Sequence, residues 1–304
     1  MKSSQLKSSL MLTLTAFIWG VAFVAQSVGM DYVGPFTFNS VRAFIGGLVL
    51  LPMLPLLDRL NGRPSEELKA ERRAQKKTLI IGGIVCGTLL ATASSLQQIG
   101  IIYTTAAKAG FITALYIVLV PILGIFMKKR PSALVWVGVA LAAAGMYLLC
   151  IKEDFSIGFG DIMMLLCALA FSFHIIAIDH FSPQVDGVRL SMIQFFVCSV
   201  LCAFPMFFSE KPTASAIWDA KLPILYAGML SCGVAYTLQI IGQKNMNPTV
   251  ASLILSLESV FSCLAGWLIL NEALSAKELA GCALVFIAIL LSQLPMPVGK
   301  KKEL

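Results

Sequence analysis

Three ionisable side chains, Arg42, His174 and Glu258, lie inside long apolar segments of the sequence. A charge near the middle of a bilayer costs about 3 kcal/mol or more, so such groups face other protein or a water-filled cavity and mark functional pathways. We expect Glu258 to be the partner of Arg42. Either the pair is structural and orders the fold, or Arg42 is functional and binds an anionic group or changes partner between two states. His174 is a candidate for proton coupling, because an imidazole titrates near neutrality; its alternative role is hydrogen-bonded packing.

Uncharged polar and aromatic side chains accompany these charges at helical spacing. Trp19 and Gln26 share one face of the first apolar segment, and Asn39 shares a face with Arg42 in the second. A Trp near the middle of a span packs internally or lines a cavity. A buried amide bonds either a neighbouring helix or a polar substrate. The candidate cavity residues are therefore Trp19, Gln26, Asn39, Arg42, Gln97, Tyr116, His174, Gln194, Tyr236, Gln239 and Glu258.

Other chemistry finds little support in the sequence. The eight cysteines fall inside or at the ends of apolar segments, with no CxxC motif and no Cys/His cluster. Such cysteines are typical small apolar residues of helices. No phosphate loop, nucleophile motif or metal-ligand spacing is present either. We predict no cofactor, no metal site and no catalytic residue, and therefore a protein that is not an enzyme.

The composition is that of an integral membrane protein. The chain is 58% hydrophobic and 13% charged, with a mean hydropathy of +0.86, whereas soluble domains carry about 25% charged residues. The net charge of +7 does not indicate a nucleic-acid partner, because the basic residues lie between the apolar segments. Ten membrane spans can be drawn, at 9–29, 37–57, 79–101, 106–127, 132–150, 160–180, 189–208, 222–243, 249–270 and 276–294.

The stretch 249–272 contains the ninth span and Glu258. As one helix it extends about 36 Å at about 1.5 Å per residue, enough to cross a hydrocarbon core of about 30 Å. We predict a helix that places its charge and a face of small residues against other protein. That face consists of Ser252, Ser256, Ser259, Cys263 and Gly266.

The distribution of Lys and Arg predicts the orientation in the membrane. Most of the 23 basic residues fall in alternate connections, among them 58–78 and 128–130, and in the tail 295–304. Basic connections lie on the cytoplasmic side, so we expect both termini and this basic tail in the cytoplasm and the protein in the cell (inner) membrane. The connection 58–78 is predicted to be a surface loop or a short amphipathic helix on the lipid headgroups. Lys108 is expected to extend toward the headgroups.

The two halves of the sequence repeat each other. Residues 14–24 align with 166–176, and Arg42 then falls opposite Gln194 at the same spacing. Five spans is an odd number, so the second copy must enter the membrane from the opposite side. The predicted fold is an all-α membrane protein made of two inverted five-helix repeats, 9–150 and 160–294. Inverted repeats are typical of alternating-access transporters, with a binding site near the midplane between the halves.

The sequence resembles the drug/metabolite transporter superfamily, specifically proteins with two EamA-type domains. The resemblance is carried by Trp19-Gly20, Arg42, the stretch 106–121, and Leu257-Glu258 with the end of the ninth span. It implies a secondary transporter of a small polar or amphipathic metabolite, with export as the commoner role. The energy would come from the substrate gradient, from protons or from a counter-substrate. The partners we expect besides the substrate are the lipid bilayer and a second copy of the chain in a homodimer.

The sequence departs from the family pattern at two places. Ser259 follows Glu258 where the family often has proline, although Pro121 is kept in the first half. Lys128-Lys129-Arg130-Pro131 stands where the family has a glutamate near the end of the fourth span. These departures make the two halves less alike and weigh against a strictly symmetric gating mechanism.

The alternative function is an intramembrane enzyme, or a lipid-handling or accessory protein on the same scaffold. An enzyme needs several titratable groups that converge. Only Arg42, His174 and Glu258 lie deep enough in the apolar segments to do so, which favours the transporter.

Overall fold

The structure is a computed structural model that describes residues 3–60, 65–104, 106–126, 133–150, 158–244, 246–270 and 275–292. Within these ranges the regular structure is entirely helical. Fourteen α-helices and two π-helical segments, Met206–Glu210 and Tyr226–Tyr236, are present. The α-helices are α1 Ser3–Gly29, α2 Pro35–Leu60, α3 Ser65–Ile101, α4 Ala106–Ala114, α5 Tyr116–Phe126, α6 Ala133–Cys150, α7 Phe159–Phe181, α8 Gly187–Pro205, α9 Ala214–Asp219, α10 Lys221–Leu225, α11 Thr237–Gln243, α12 Pro248–Leu255, α13 Leu257–Leu270 and α14 Ala276–Ser292.

Eight helical stretches in the described ranges are long and apolar enough to cross a membrane. Two shorter apolar helices, Trp136–Gly145 within α6 and Leu279–Ala288 within α14, stand where the fifth and tenth spans are predicted. The all-helical prediction is confirmed, and the count of ten spans remains a prediction. The basic tail 295–304 and the segment 128–130 lie outside the described residues.

The structure corrects the predicted connection before the third span. Residues 65–78 belong to α3, a continuous helix of 37 residues, rather than to a surface loop or a separate helix. This segment is rich in Glu, Lys, Arg, Ala and Gln, which are strong helix formers. Glu66 and Glu67 in its first turn also complement the positive end of the helix dipole.

Helices of the two halves pack directly on one another. α2 runs beside α8 and α6 beside α14, and in each pair the partners hold equivalent positions in the two repeats. α1 also packs along α13, and α3 packs against both α7 and α8. The second half therefore lies against the first along most of the bundle, and the space between the halves is lined from both sides.

The stretch predicted as one ninth-span helix is interrupted at Ser256, which separates α12 from α13. Four serines here bond back to their own helix. The hydroxyls of Ser252, Ser256, Ser259 and Ser262 each donate to the carbonyl three residues earlier, at 2.7 to 3.0 Å. Such back-bonding competes with the regular helix pattern and bends helices. The prediction of a continuous helix over 249–272 is therefore wrong.

Two further spans are irregular near the middle. Leu115 separates α4 from α5, and Pro121 in α5 lacks the amide hydrogen that would reach the carbonyl of Ile117. The eighth predicted span consists of α10, the π-helical segment Tyr226–Tyr236 and α11. π-Helical turns are frequent at functional sites. These irregular spans, with the interrupted ninth, surround one space in the bundle.

Candidate functional site

A buried cavity lies between the two halves, enclosed by side chains from α1, α2, α3, α4, α5, α7, the π-helical segment Tyr226–Tyr236, α11 and α13. The space open to the centre of a water-sized molecule is about 30 Å³, so the cavity admits only molecules of about that size. Any larger molecule requires the lining helices to separate. The lining residues are Trp19, Ala22, Phe23, Gln26, Arg42, Gln97, Thr113, Tyr116, Phe171, Ile175, Ser231, Tyr236, Gln239 and Glu258.

Glycines let the helices that carry the charged residues approach closely. A Cβ atom on Gly20 of α1 would meet the backbone of Phe261 and Ser262 in α13 at 2.8 Å. A Cβ on Gly46 of α2 would come within 2.5 Å of the Cβ of Cys232 in the π-helical segment. Trp19 and Arg42 are thereby held against the helices of the second half that complete the cavity.

Arg42 is 5% exposed and donates a hydrogen bond from Nη1 to Oε1 of Gln26 at 2.8 Å. Its guanidinium carbon also lies 5.5 Å from the ring centroid of Phe38, a cation–π distance. Among the ion pairs of the described ranges, none joins Arg42 to Glu258. The expected pair is therefore corrected: both groups face the same cavity, and a neutral amide on the adjacent helix orients the cation.

Glu258 lies in the first turn of α13, directly after the interruption at Ser256, and is 3% exposed. The hydroxyl of Tyr116, the first residue of α5, lies beside its carboxyl group. This hydroxyl interacts with the carboxyl group, but within the described part of the chain neither it nor Oε1 of Glu258 has a partner at ordinary hydrogen-bond distance. An ionisable group and a neutral donor thus face each other where the two interrupted spans meet.

The rings of Trp19 and Tyr236 pack together and form another part of the cavity wall. Their centroids are 4.5 Å apart and their planes are inclined by 55°. Nε1 of Trp19 and Oε1 of Gln239 have no hydrogen-bond partner among the described residues. Buried polar atoms are nearly always satisfied, so each exception needs a reason. Four such atoms around one cavity, those of Trp19, Tyr116, Gln239 and Glu258, are what a site for water or a polar ligand provides.

The structure brings eight of the eleven predicted residues to this cavity. The other three, Asn39, His174 and Gln194, are fully buried elsewhere in the bundle. Nε2 of His174 lies 3.1 Å from Oε1 of Gln194, which agrees with the packing alternative for this histidine. Lys108 does not simply extend to the headgroups, because its Nζ lies 2.8 Å from Oδ2 of Asp161.

The sequence reasoning missed six residues of the cavity wall, two of which, Ala22 and Phe23, lie on α1 beside predicted residues. Phe171 and Ile175 stand opposite Trp19 and Phe23 in the aligned repeat segments 14–24 and 166–176, so that alignment could have identified both. Thr113 lies one helical turn before Tyr116, and its hydroxyl is 3.4 Å from Nε2 of Gln97. Ser231 gave no signal, because it faces the cavity from within a π-helical segment whose residues do not follow α-helical spacing.

Metal ligands are scarce on the cavity wall, as far as the described residues show. In the parts of the chain that the structure describes, no three His, Cys, Asp or Glu side chains come together. Arg42 and Glu258 are the charged residues of the lining, so the chemistry on offer is ionic attraction, hydrogen bonding and stacking on aromatic rings.

Comparison with known proteins gives a consistent family assignment. A model described as the EamA-like transporter family matches residues 6–151 and again residues 158–294. An uncharacterized transporter of Archaeoglobus fulgidus is 33% identical over 297 residues, which are 95% of this chain and 87% of that protein. The uncharacterized transporter YoaV of Bacillus subtilis is 22% identical, over 90% of this chain and 92% of its own length. A WAT1-related protein of Arabidopsis thaliana, described as chloroplastic, is 25% identical over 92% of this chain and 67% of its own length.

A solved crystal structure shares the fold. It superposes with a TM-score of 0.74 at 18% identity, over 94% of this chain and 96% of that one. The resemblance expected from Trp19-Gly20, Arg42 and the ninth span is confirmed by these matches. With two matches that together cover most of its length, the chain belongs to the EamA-like transporter family.

Proposed function

We propose that the protein is a secondary transporter that exports a small polar or amphipathic metabolite across the cell membrane by alternating access. The single observation that carries this proposal is the position of Glu258 and Tyr116. Each lies in the first turn of the second part of an interrupted span, one from each half, and each faces the cavity with a polar atom that has no partner at ordinary hydrogen-bond distance. Interrupted helices at the interface of inverted repeats are where transporters bind substrate and coupling ions.

The substrate contacts follow from the chemistry of the wall. Arg42 offers a cation and Glu258 an ionisable carboxyl group, while Trp19 and Tyr236 offer aromatic faces. A substrate with a polar head and a compact apolar body uses both kinds of surface. Gln26, Gln97 and Gln239 would add amide hydrogen bonds that select its shape.

Proton coupling is assigned to Glu258. It is the acidic residue of the cavity lining, so a proton and a substrate compete for, or share, the same space there. His174 is the rival proton carrier, but it stands behind the wall residues Phe171 and Tyr236 and does not line the cavity, and its Nε2 faces Gln194. Both termini are placed in the cytoplasm by the distribution of Lys and Arg, with ten spans in total.

The test is a flux assay on the purified full-length protein in liposomes, with a panel of radiolabelled metabolites and imposed pH gradients. The proposal predicts saturable movement of at least one small polar or amphipathic metabolite, and a decrease of at least about tenfold in Arg42→Gln, since a charged contact is worth about 1.5–3 kcal/mol. Arg73→Gln is the matched control, because it makes the same change at an exposed residue of α3 outside the cavity lining. If no metabolite moves but a membrane lipid is chemically modified, the proposal is wrong and the enzyme alternative takes its place.

A further inference from the structure

A carboxylate from the second half holds the start of α2. Oε1 of Glu210 accepts a hydrogen bond from the amide of Phe36 at 2.8 Å, and Oε2 accepts from the amide and the hydroxyl of Thr37 at 2.7 and 2.6 Å. The first amides of a helix lack partners within the helix and carry its positive dipole end. Gly34 leaves room for this carboxylate, since a Cβ there would overlap it. The end of the seventh predicted span is thus bound to the start of the second.

A second carboxylate holds the opposite ends of the same two spans. Oδ2 of Asp58, near the end of α2, lies 3.3 Å from Nη2 of Arg189 in the first turn of α8. Asp58 also pairs with Arg72 of α3. Thr37 and Asp58 are about 32 Å apart along α2 at about 1.5 Å per residue. The two contacts therefore lie at opposite faces of a bilayer.

The two contacts are equivalent in the repeat. The sequence offset that places Arg42 opposite Gln194 also places Asp58 opposite Glu210, and Thr37 opposite Arg189. An inverted repeat turns a contact at one face into its counterpart at the other. At both membrane faces, a carboxylate at the end of one span meets a donor in the first turn of the neighbouring span. This repetition distinguishes the two contacts from an isolated surface ion pair.

The two contacts differ in strength. Glu210 accepts three short hydrogen bonds, and one turn away Ser40 and Ser199 each donate a hydroxyl hydrogen bond to the other's carbonyl at 3.0 Å. Glu210 is itself partly exposed, as are Asp58 and Arg189, but Asp58 makes a single, longer contact to α8, and its other ion pair, with Arg72, stays within the first half. Partly exposed ion pairs contribute little to stability. The Glu210 end of the pair is therefore held more firmly than the Asp58 end.

We propose that Glu210 and Asp58 are alternating latches, in which opening the cavity toward one membrane face releases the carboxylate at that face while the other stays closed. This proposal rests on the alternating-access function above. α2 and α8 belong to different halves, so rocking of the halves must separate the pair at one end. The weaker Asp58 latch is the one that opens in the substrate-free protein. Release of the Glu210 latch is the harder step.

Hydrogen exchange with mass spectrometry on the full-length protein in nanodiscs, without substrate, tests the proposal. In Glu210→Gln, amides of 34–41 should exchange on the order of tenfold faster, because a charge-assisted bond to a helix end is lost. The diagnostic result is at the other end: amides of 186–192 should exchange more slowly, because the population shifts away from opening at Asp58. In Asp58→Asn, amides of 186–192 should exchange faster and amides of 34–41 more slowly, and both changes should be smaller.

Three further variants separate a latch from a local cap. Thr37→Val keeps both amide bonds and should give a weaker form of the crossed response, that is, faster exchange at 34–41 together with slower exchange at 186–192. This variant replaces Glu210→Gln if the latter does not fold. Asp219→Asn removes an exposed acid from the end of α9 near the Glu210 face and should change neither end. Asp186→Asn removes a charge beside Arg189 but keeps an oxygen for the helix cap seen at 2.9 Å, and should leave the Glu210 end unchanged.

Faster exchange confined to the mutated end, with the far end unchanged, would show two independent caps and overturn the latch proposal. The readout needs no substrate, so it separates the two proposals. A protein that moves no metabolite but gives the crossed response would keep the latches and lose the proposed function. A protein that transports but gives only local responses would do the reverse.

Discussion

The interrupted spans of the two halves occupy equivalent positions but present different chemistry. α5 begins with Tyr116, a neutral donor, whereas α13 begins with Leu257 and Glu258, which brings an ionisable group. In the second and seventh spans the charge belongs to the first half instead: α2 carries Arg42 at the cavity, and its repeat counterpart Gln194 in α8 is neutral and lies outside the cavity. The repeat thus supplies two similar frames, and each half adds one charge at a position where the other half is neutral.

The two spans also carry different irregular features. In the first half Pro121, six residues after the interruption at Leu115, removes a backbone donor. In the second half the serines from Ser252 to Ser262 donate back to backbone carbonyls. A missing amide cannot be restored by a side-chain rotation, but a serine hydroxyl can turn away from its carbonyl. We therefore expect the interruption beside Glu258 to be the more adaptable of the two.

The largest effect is expected from a change that separates α13 from α1. In Gly20→Ala the new methyl group meets backbone atoms of Phe261 and Ser262 at 2.8 Å, and backbone cannot move aside cheaply. Overpacking of this kind costs about 1–3 kcal/mol. Loss of thermal stability in detergent, together with loss of transport, is the expected measurement.

Gly110→Ala is the matched control on the interrupted span of the first half. Its new methyl group would meet Oγ of Ser262 at 2.7 Å, and a serine hydroxyl can rotate to another rotamer. We expect a smaller loss of stability than in Gly20→Ala. Equal losses in the two variants would mean that the α1–α13 contact is not the tighter one.

A moderate effect is expected from Tyr116→Phe. This change removes the donor that faces Glu258 but keeps the ring, and one hydrogen bond is worth about 0.5–1.5 kcal/mol. The apparent affinity for the transported metabolite should fall by about two- to tenfold, while the dependence of transport on pH is kept. If Tyr116→Phe abolished the pH dependence, proton coupling would belong to the pair and the contrast between the halves would fail.

The smallest effect is expected from Ser256→Ala. The change removes the 2.7 Å back-bond to Leu253 at the interruption, and alanine favours a regular helix. Stability should change little or increase slightly, and the transport rate should fall by about twofold or less, since only a weak side-chain bond is lost. Rates from initial uptake, compared with Ser252→Ala one turn earlier, measure the effect. A larger loss in the Ser252 variant would show that the interruption at Ser256 is not the mobile point.

Much of the frame could be predicted from the sequence, because apolar run length and the repeat are properties of the chain itself. The alignment of segments 14–24 and 166–176 also holds the information that Phe171 is the counterpart of Trp19, although Phe171 was not among the predicted residues. The Arg42–Glu258 pair could not be predicted correctly, because the rotation of α2 about its axis depends on packing at Gly46. That rotation brings Gln26 within reach of the guanidinium.

The helix interruption at Ser256 was equally hidden from the sequence. Serine occurs both in regular helices and at bends, and which of the two results depends on whether its hydroxyl finds the backbone or another partner. The proline expected after Glu258 would have indicated a break directly. In its absence, a row of small residues predicted only close packing.

The most direct test of the central claim is the pH dependence of Glu258→Gln in proteoliposomes. A glutamine keeps the size and the hydrogen-bonding capacity of the side chain but cannot take up or release a proton. If Glu258 couples transport to protons, net flux in the variant should no longer respond to an imposed pH gradient, while exchange of labelled for unlabelled metabolite continues. His174→Gln, measured alongside, should respond as the unmodified protein does. Unchanged pH dependence in Glu258→Gln would contradict the account and remove Glu258 as the proton carrier.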